Sequence, residues 1–200
     1  MPGAGKSVLA SAVVDDIMSR YKDNVQIGIA YLYCDYRNQS EQRPEDLLAS
    51  LLKQLSHKKS NLPGRVTVFY ERPDSRQRQH PSFSEISGAV ESILQTYNRA
   101  FIIVDGLDEC RAQNGWVSKI MAKLSQYQVR FRASVLITSR PVQDLIKKQG
   151  QYASINIRAT AGDVRKYVSS RLKQLPSQHF REKALVAEIQ RAIVESVDGM

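Results

Sequence analysis

The residues best suited to chemistry stand at the start of the chain, where Pro2-Gly3-Ala4-Gly5-Lys6-Ser7 runs directly into a helical pattern. A chain of phosphates is bound by backbone N–H groups turned inward, and glycines permit that turn because they carry no Cβ. A helix opening at Lys6 points the positive end of its dipole at the same anion. In such a loop the Lys6 ammonium meets the β- and γ-phosphates and the Ser7 hydroxyl ligates Mg²⁺. The full pattern is G-x-x-x-x-G-K-[ST]. Its first glycine falls one residue before Met1, so the motif is expected to begin upstream, together with the strand that feeds it. The plain alternative is a Gly-rich turn that happens to precede Lys-Ser.

A second group is Phe101-Ile-Ile-Val-Asp105-Gly-Leu-Asp108-Glu109. The apolar run predicts a buried strand that delivers Asp105 to the end of a sheet, where a carboxylate can hold magnesium through water. Asp108 and Glu109 follow on the next turn, and either could orient and partly deprotonate an attacking water. Phosphoryl transfer asks for that positioning and for charge stabilisation more than for covalent chemistry. A third group, Val135-Leu-Ile-Thr138-Ser139-Arg140, predicts a neighbouring strand whose terminal arginine senses a γ-phosphate. Read alone, each of these two groups is also an ordinary polar turn after a strand.

The elements that must position these groups alternate. A helix is expected from Lys6 to Tyr21 with Leu9, Val13 and Ile17 as its apolar stripe, then a strand over Val25–Cys34. Pro44 opens a helix with Glu45 and Asp46 in its first turn and Leu47, Leu48, Leu51, Leu52 and Leu55 facing the core. Residues 58–82 read as a long loop with at most one short element. Ser82 or Ser84 caps a helix carrying Ile86, Val90, Ile93, Leu94 and Tyr97. After the Phe101 strand come a helix with Val117, Ile120, Met121 and Leu124, a strand over Ser134–Thr138 and a fourth strand over Tyr152–Ile157. Thr160 and Asp163 form a capping box for a helix through Leu175, and a last helix spans about 180–197. Strands alternating with helices specify an α/β sandwich with a mainly parallel sheet, whose ligands bind beyond the carboxyl ends of the strands.

The bulk composition narrows the function classes. The 200 residues are 42% hydrophobic and 24% charged, which suits one domain. The sequence has neither a long apolar run for a membrane-spanning helix nor a signal-peptide core. Net charge is +9, yet the basic residues are scattered and lack the aromatic interleaving of single-strand binders, which argues against nucleic acid. His57, His80 and His179 share no metal spacing. Cys34 and Cys110, far apart in sequence, are expected to stay reduced and to pack or sit idle in a reducing compartment. Trp116 is expected to pack on the helix it opens.

In combination, PGAGKS, IIVDGLDEC and LITSRP resemble the NACHT group of STAND NTPases, within it the nephrocystin-like N-terminal domain of large fungal repeat-containing proteins. YLYCDYRNQ and DVRKYVSSRL are similar to that subfamily too, so the similarity runs from Pro2 to Met200. The resemblance implies a P-loop NTPase domain over 1–200, a three-layer α/β/α sandwich lacking its first strand and truncated at both ends, with a winged-helix segment expected beyond Met200. It implies a cytoplasmic ATP/ADP switch with Mg²⁺ that hydrolyses slowly and associates with itself or with other NACHT proteins. By motif position Pro2, Gly3, Ala4, Gly5, Lys6 and Ser7 hold phosphate, Ser7 and Asp105 hold magnesium, Glu109 with Asp108 handles the water, and Arg140 senses phosphate. A competing reading keeps the shape without nucleotide binding, as an association module. A small-molecule kinase would rely on an Arg-rich lid, and a nucleic-acid motor would need further motifs.

Overall fold

The computed structural model describes residues 5–38, 42–71, 81–110, 115–140, 153–157, 160–172, 186–189 and 191–193. The chain divides into two units: Lys6–Ala153, and Met1–Gly5 together with Ser154–Met200.

In the larger unit the order is α1 (Lys6–Arg20), β1 (Ile27–Tyr33), a 3₁₀ turn (Tyr36–Asn38), α2 (Pro44–His57), α3 (Gly64–Glu71), α4 (Phe83–Leu94), β2 (Arg99–Asp105), a 3₁₀ turn (Leu107–Glu109), α5 (Trp116–Phe131) and β3 (Ala133–Ile137). The three strands form one parallel sheet in the order β1-β2-β3. Register sets Tyr31 beside Ile103 and Ile103 beside Leu136 on one face. Their neighbours Ala30, Leu32, Ile102, Val104, Val135 and Ile137 belong to the opposite face, because successive strand residues alternate. The α/β class and the parallel sheet expected from the alternating pattern are therefore present.

The second face carries the main core. Leu48, Leu51 and Leu55 of α2, Val90, Ile93 and Leu94 of α4, and Leu124 and Tyr127 of α5 are all almost fully buried there. Pro44 sits at the first helical position of α2 as expected, and Ser82 rather than Ser84 caps α4. The Glu85 N–H donates to Ser82 Oγ at 3.3 Å, and the Ser82 N–H donates to Glu85 Oε2 at 2.8 Å. Within the expected long loop α3 is the one short element among the described residues.

The first face is covered by α1, and here the expected stripe is corrected. Ala10 and Val14 are buried against Ile103, Val13 and Ile17 are half-buried flanks, and Leu9 is exposed. Two small side chains let α1 lie close to the sheet, so its inward face is turned by one residue relative to the Leu9-Val13-Ile17 row.

The fourth strand is a second correction. Residues 153–157 take no strand conformation and Ile155 is 87% exposed. Among the described residues no strand pairs with this segment, and an alternating pattern alone does not make a strand. Tyr152 lies outside the described residues. The outer edge of β1, by contrast, is sealed by a side chain: Gln54 on α2 accepts from the Tyr31 N–H at 3.0 Å and donates to the Tyr31 carbonyl at 2.8 Å. An amide side chain thereby takes the place of another strand at that position, a protection edge strands commonly need.

In the smaller unit α6 spans Ala161–Leu172. The expected capping box is there, with the Asp163 N–H donating to Thr160 Oγ1 at 3.1 Å and the Thr160 N–H donating to Asp163 Oδ2 at 3.2 Å. Residues 173–175 of the expected helix lie outside the described residues. Residues 186–189 and 191–193 are helical, within the expected last helix.

Candidate functional site

Two contacts fix the direction of α1. Ser11 Oγ lies 3.1 Å from Tyr33 Oη, at the carboxyl end of β1. Tyr21, just past the other end of the helix, stacks on Phe101 near the start of β2. The helix therefore runs antiparallel to the strands, and its first residues, Lys6 and Ser7, belong to the end where the strands finish. Lys6 is half-buried and Ser7 exposed. Gly5 has φ +82°, a left-handed conformation that only glycine adopts freely. Pro2, Gly3 and Ala4 lie outside the described residues.

At the same end, Asp105 closes β2 and is 5% exposed. The hydroxyl of Thr138, just past β3, donates to Asp105 Oδ1 at 2.5 Å and accepts from the Gly106 N–H at 3.0 Å. Backbone bonds continue the ladder past both strands: Thr138 N–H to the Val104 carbonyl, Leu107 N–H to the Thr138 carbonyl, and Cys34 N–H to the Asp105 carbonyl. One oxygen of the Asp105 carboxylate is thereby tied to the end of β3. Gly106 then takes φ +68°, and an added Cβ would stand 3.2 Å from the Cys34 carbonyl oxygen. The chain turns there because nothing larger than hydrogen fits comfortably, and Leu107 is pinned in the core with 1% exposure.

That turn presents Asp108 and Glu109 to Arg140. Asp108 Oδ1 accepts the Arg140 backbone N–H at 2.9 Å, and its Oδ2 lies 3.4 Å from Arg140 Nε. Arg140 Nη2 lies 3.7 Å from Glu109 Oε1. The Asp108 side chain is 10% exposed, Glu109 30% and Arg140 48%. The structure thus gathers Asp105, Asp108, Glu109 and Arg140 into one cluster, with Lys6 and Ser7 on the helix end that faces the same side.

Sequence reading missed several parts of this cluster. Arg37 grips Asp35 through Nε at 3.0 Å and Nη2 at 2.7 Å, just after β1. These hydrogen bonds hold the Asp35 carboxyl below the usual carboxylate range and favour the charged guanidinium of Arg37, which the negative charge of Asp35 and, least, that of Glu109 favour further. The Thr138 bond to Asp105 becomes visible only once β2 and β3 are in register. The expectation that the cysteines stay reduced and pack or sit idle is corrected: Cys34 and Cys110 are paired, with Cα atoms 5.6 Å apart, inside the usual range for a disulfide. Parallel pairing brings Cys34 beside Asp105, and the 3₁₀ turn folds Cys110 back over it, closing a gap of 76 positions. Trp116 is half-buried at the start of α5, as a packing residue should be.

Residues 1–140 match the family model described as nephrocystin 3, N-terminal. The chain belongs to this family. The matched stretch contains Lys6, Ser7, Asp105, Asp108, Glu109 and Arg140, and stops short of the smaller unit's helix, whereas the resemblance in sequence runs on to Met200. No curated protein matches the chain.

Proposed function

We propose that this nephrocystin 3 N-terminal domain is a P-loop NTPase of the NACHT type that binds Mg-ATP and Mg-ADP and hydrolyses ATP slowly as a signalling switch. The observation that carries the reading is the convergence, at one end of a parallel sheet, of a helix beginning Lys6-Ser7 and a strand end bearing Asp105. Lys6 and the backbone from Pro2 to Gly5 would hold the phosphates, and Ser7 and Asp105 the cation. Magnesium is the metal these groups suit, because it keeps several waters and takes few protein ligands, usually a carboxylate, together with phosphate oxygens. Bound there it supplies charge neutralisation across the β- and γ-phosphates. Glu109, the more open carboxylate, orients the attacking water and takes its proton, while Arg140 recognises the phosphate. Among the described residues no helix is long and apolar enough to cross a membrane. By its resemblance to NACHT proteins we place the switch in the cytoplasm, where the Cys34–Cys110 pair is expected to be reduced, with self-association or other NACHT proteins as its partners.

Two variants separate the roles. Glu109→Gln should keep Mg-ATP and lose turnover, whereas Asp105→Asn should weaken magnesium-dependent binding itself. Wild-type hydrolysis by Glu109→Gln would remove Glu109 from the water. One observation favours the alternative of an association module without nucleotide: β3 pairs only with β2 among the described residues, and an open edge can take a strand from another chain. A nucleotide titration decides between the two readings.

A further inference from the structure

We infer that Asp108 is the positioning residue for Arg140 and sets the site's discrimination between tri- and diphosphate, an inference that rests on the nucleotide reading above. The residue holds Arg140 at two points, Oδ1 on the backbone N–H at 2.9 Å and Oδ2 facing Nε at 3.4 Å. Its own place is fixed from behind, because Leu107 is buried and its N–H donates to the Thr138 carbonyl at 3.0 Å. Both carboxylate oxygens are thus turned to one residue, in a side chain only 10% exposed. A general base needs a lone pair aimed at the proton it takes. Asp108 offers its lone pairs to Arg140 instead.

Glu109 stands differently. Its contact to Arg140 Nη2 is longer, 3.7 Å, and its side chain is three times as exposed as that of Asp108. An incoming terminal phosphate competes for Nη2, the outer end of the guanidinium, while the two-point hold at the N–H and Nε stays in place. Asp108 is then the pivot and Glu109 the partner exchanged. Loss of the pivot leaves a mobile arginine that still carries its charge but no longer meets the terminal phosphate at a fixed place, so triphosphate binding suffers and diphosphate binding does not.

The test uses the full chain with Asp108→Ala, which removes both holds, and Asp108→Asn, which keeps an acceptor for the N–H but loses the charge facing Nε. Affinities for Mg-ATP and Mg-ADP are measured by calorimetry, and exchange of the Arg140 amide by hydrogen-exchange mass spectrometry. Expected are unchanged ADP affinity in both variants and an ATP-over-ADP preference lowered about ten-fold in Asp108→Ala. Asp108→Asn should fall between this and the wild type. The Arg140 amide should exchange faster in Asp108→Ala and near the wild-type rate in Asp108→Asn. An unchanged ATP/ADP ratio with turnover abolished would make Asp108 the base and overturn the inference, as would unchanged exchange at Arg140 in Asp108→Ala. If the wild type binds neither nucleotide the nucleotide reading fails, and with it the discrimination assigned to Asp108, while the exchange result still shows whether Asp108 holds Arg140.

Discussion

Replacing Thr138 with valine removes one oxygen and almost no volume, at a position 6% exposed. That oxygen does two things: it donates to Asp105 Oδ1 and accepts from the Gly106 N–H. Losing a hydrogen bond to a charged group costs about 1.5–3 kcal/mol, and leaving a buried N–H unsatisfied costs about 1–3 kcal/mol. The two losses share one hydroxyl and overlap, so about 3 kcal/mol is expected for Thr138→Val. This is a large part of the roughly 5–15 kcal/mol that holds a domain together. Thr138→Ser keeps the hydroxyl and should lose less than about 1 kcal/mol, the value of roughly one buried methyl group. Urea unfolding followed by circular dichroism measures both, and an unchanged slope against denaturant would show that the denatured state is the same. A Thr138→Val midpoint within error of the wild type would refute the claim that this hydroxyl organises the end of β2.

Gly106→Ala should destabilise by about 1–2 kcal/mol, the cost of a left-handed conformation for a residue with a Cβ. The Cys34 carbonyl oxygen, 3.2 Å from the new atom, would have to shift slightly and adds to that cost; a melt equal to that of the wild type would contradict this. Reducing the Cys34–Cys110 bond opens a loop whose closure is worth roughly 4 kcal/mol on chain-entropy grounds, so the melting temperature should drop on adding reductant, and Cys34→Ser with Cys110→Ser should melt at the reduced value in either condition. Burial pushes the Tyr97 and Tyr127 phenols up to about 12 from 10.0, in the folded state. Their contribution is fully present below pH 10.0, the unfolded value, and is lost as pH rises towards about 12, so thermal stability should fall across that window. A melt flat through it would show that these phenols ionise as freely folded as unfolded.

Legibility in the sequence followed the range of the interactions. The leucine face of α2, the Ser82 cap, the Thr160–Asp163 box and the Asp105 strand all depend on residues a few positions apart, and each stands where its spacing implied. The inward face of α1 was read one residue off because Ala10, too small to count as an apolar landmark, is the residue that meets the sheet. Over 153–157, the described part of the expected Tyr152–Ile157 strand, the reason is the opposite: the alternation is real, but a strand exists only with a partner, and partners are not written in local pattern. Gln54 on the Tyr31 edge, Thr138 on Asp105 and Cys34 against Cys110 span 23, 33 and 76 positions. Each is set by sheet register, which no local spacing encodes. Asp105, Asp108, Glu109 and Arg140 are nevertheless legible, because a strand end followed by acidic residues or by an arginine is itself a local signal.

The central claim is that Lys6 and Ser7 on α1 and Asp105 on β2 form one phosphate and magnesium site. Its most direct test is calorimetric titration of Mg-ATP into the wild-type chain and into Lys6→Ala. The account predicts saturable, magnesium-dependent binding that weakens by about ten- to a hundred-fold in the variant, the usual range for a lost charge-assisted contact. Equal affinity in the two proteins, or no binding by the wild type, would contradict it.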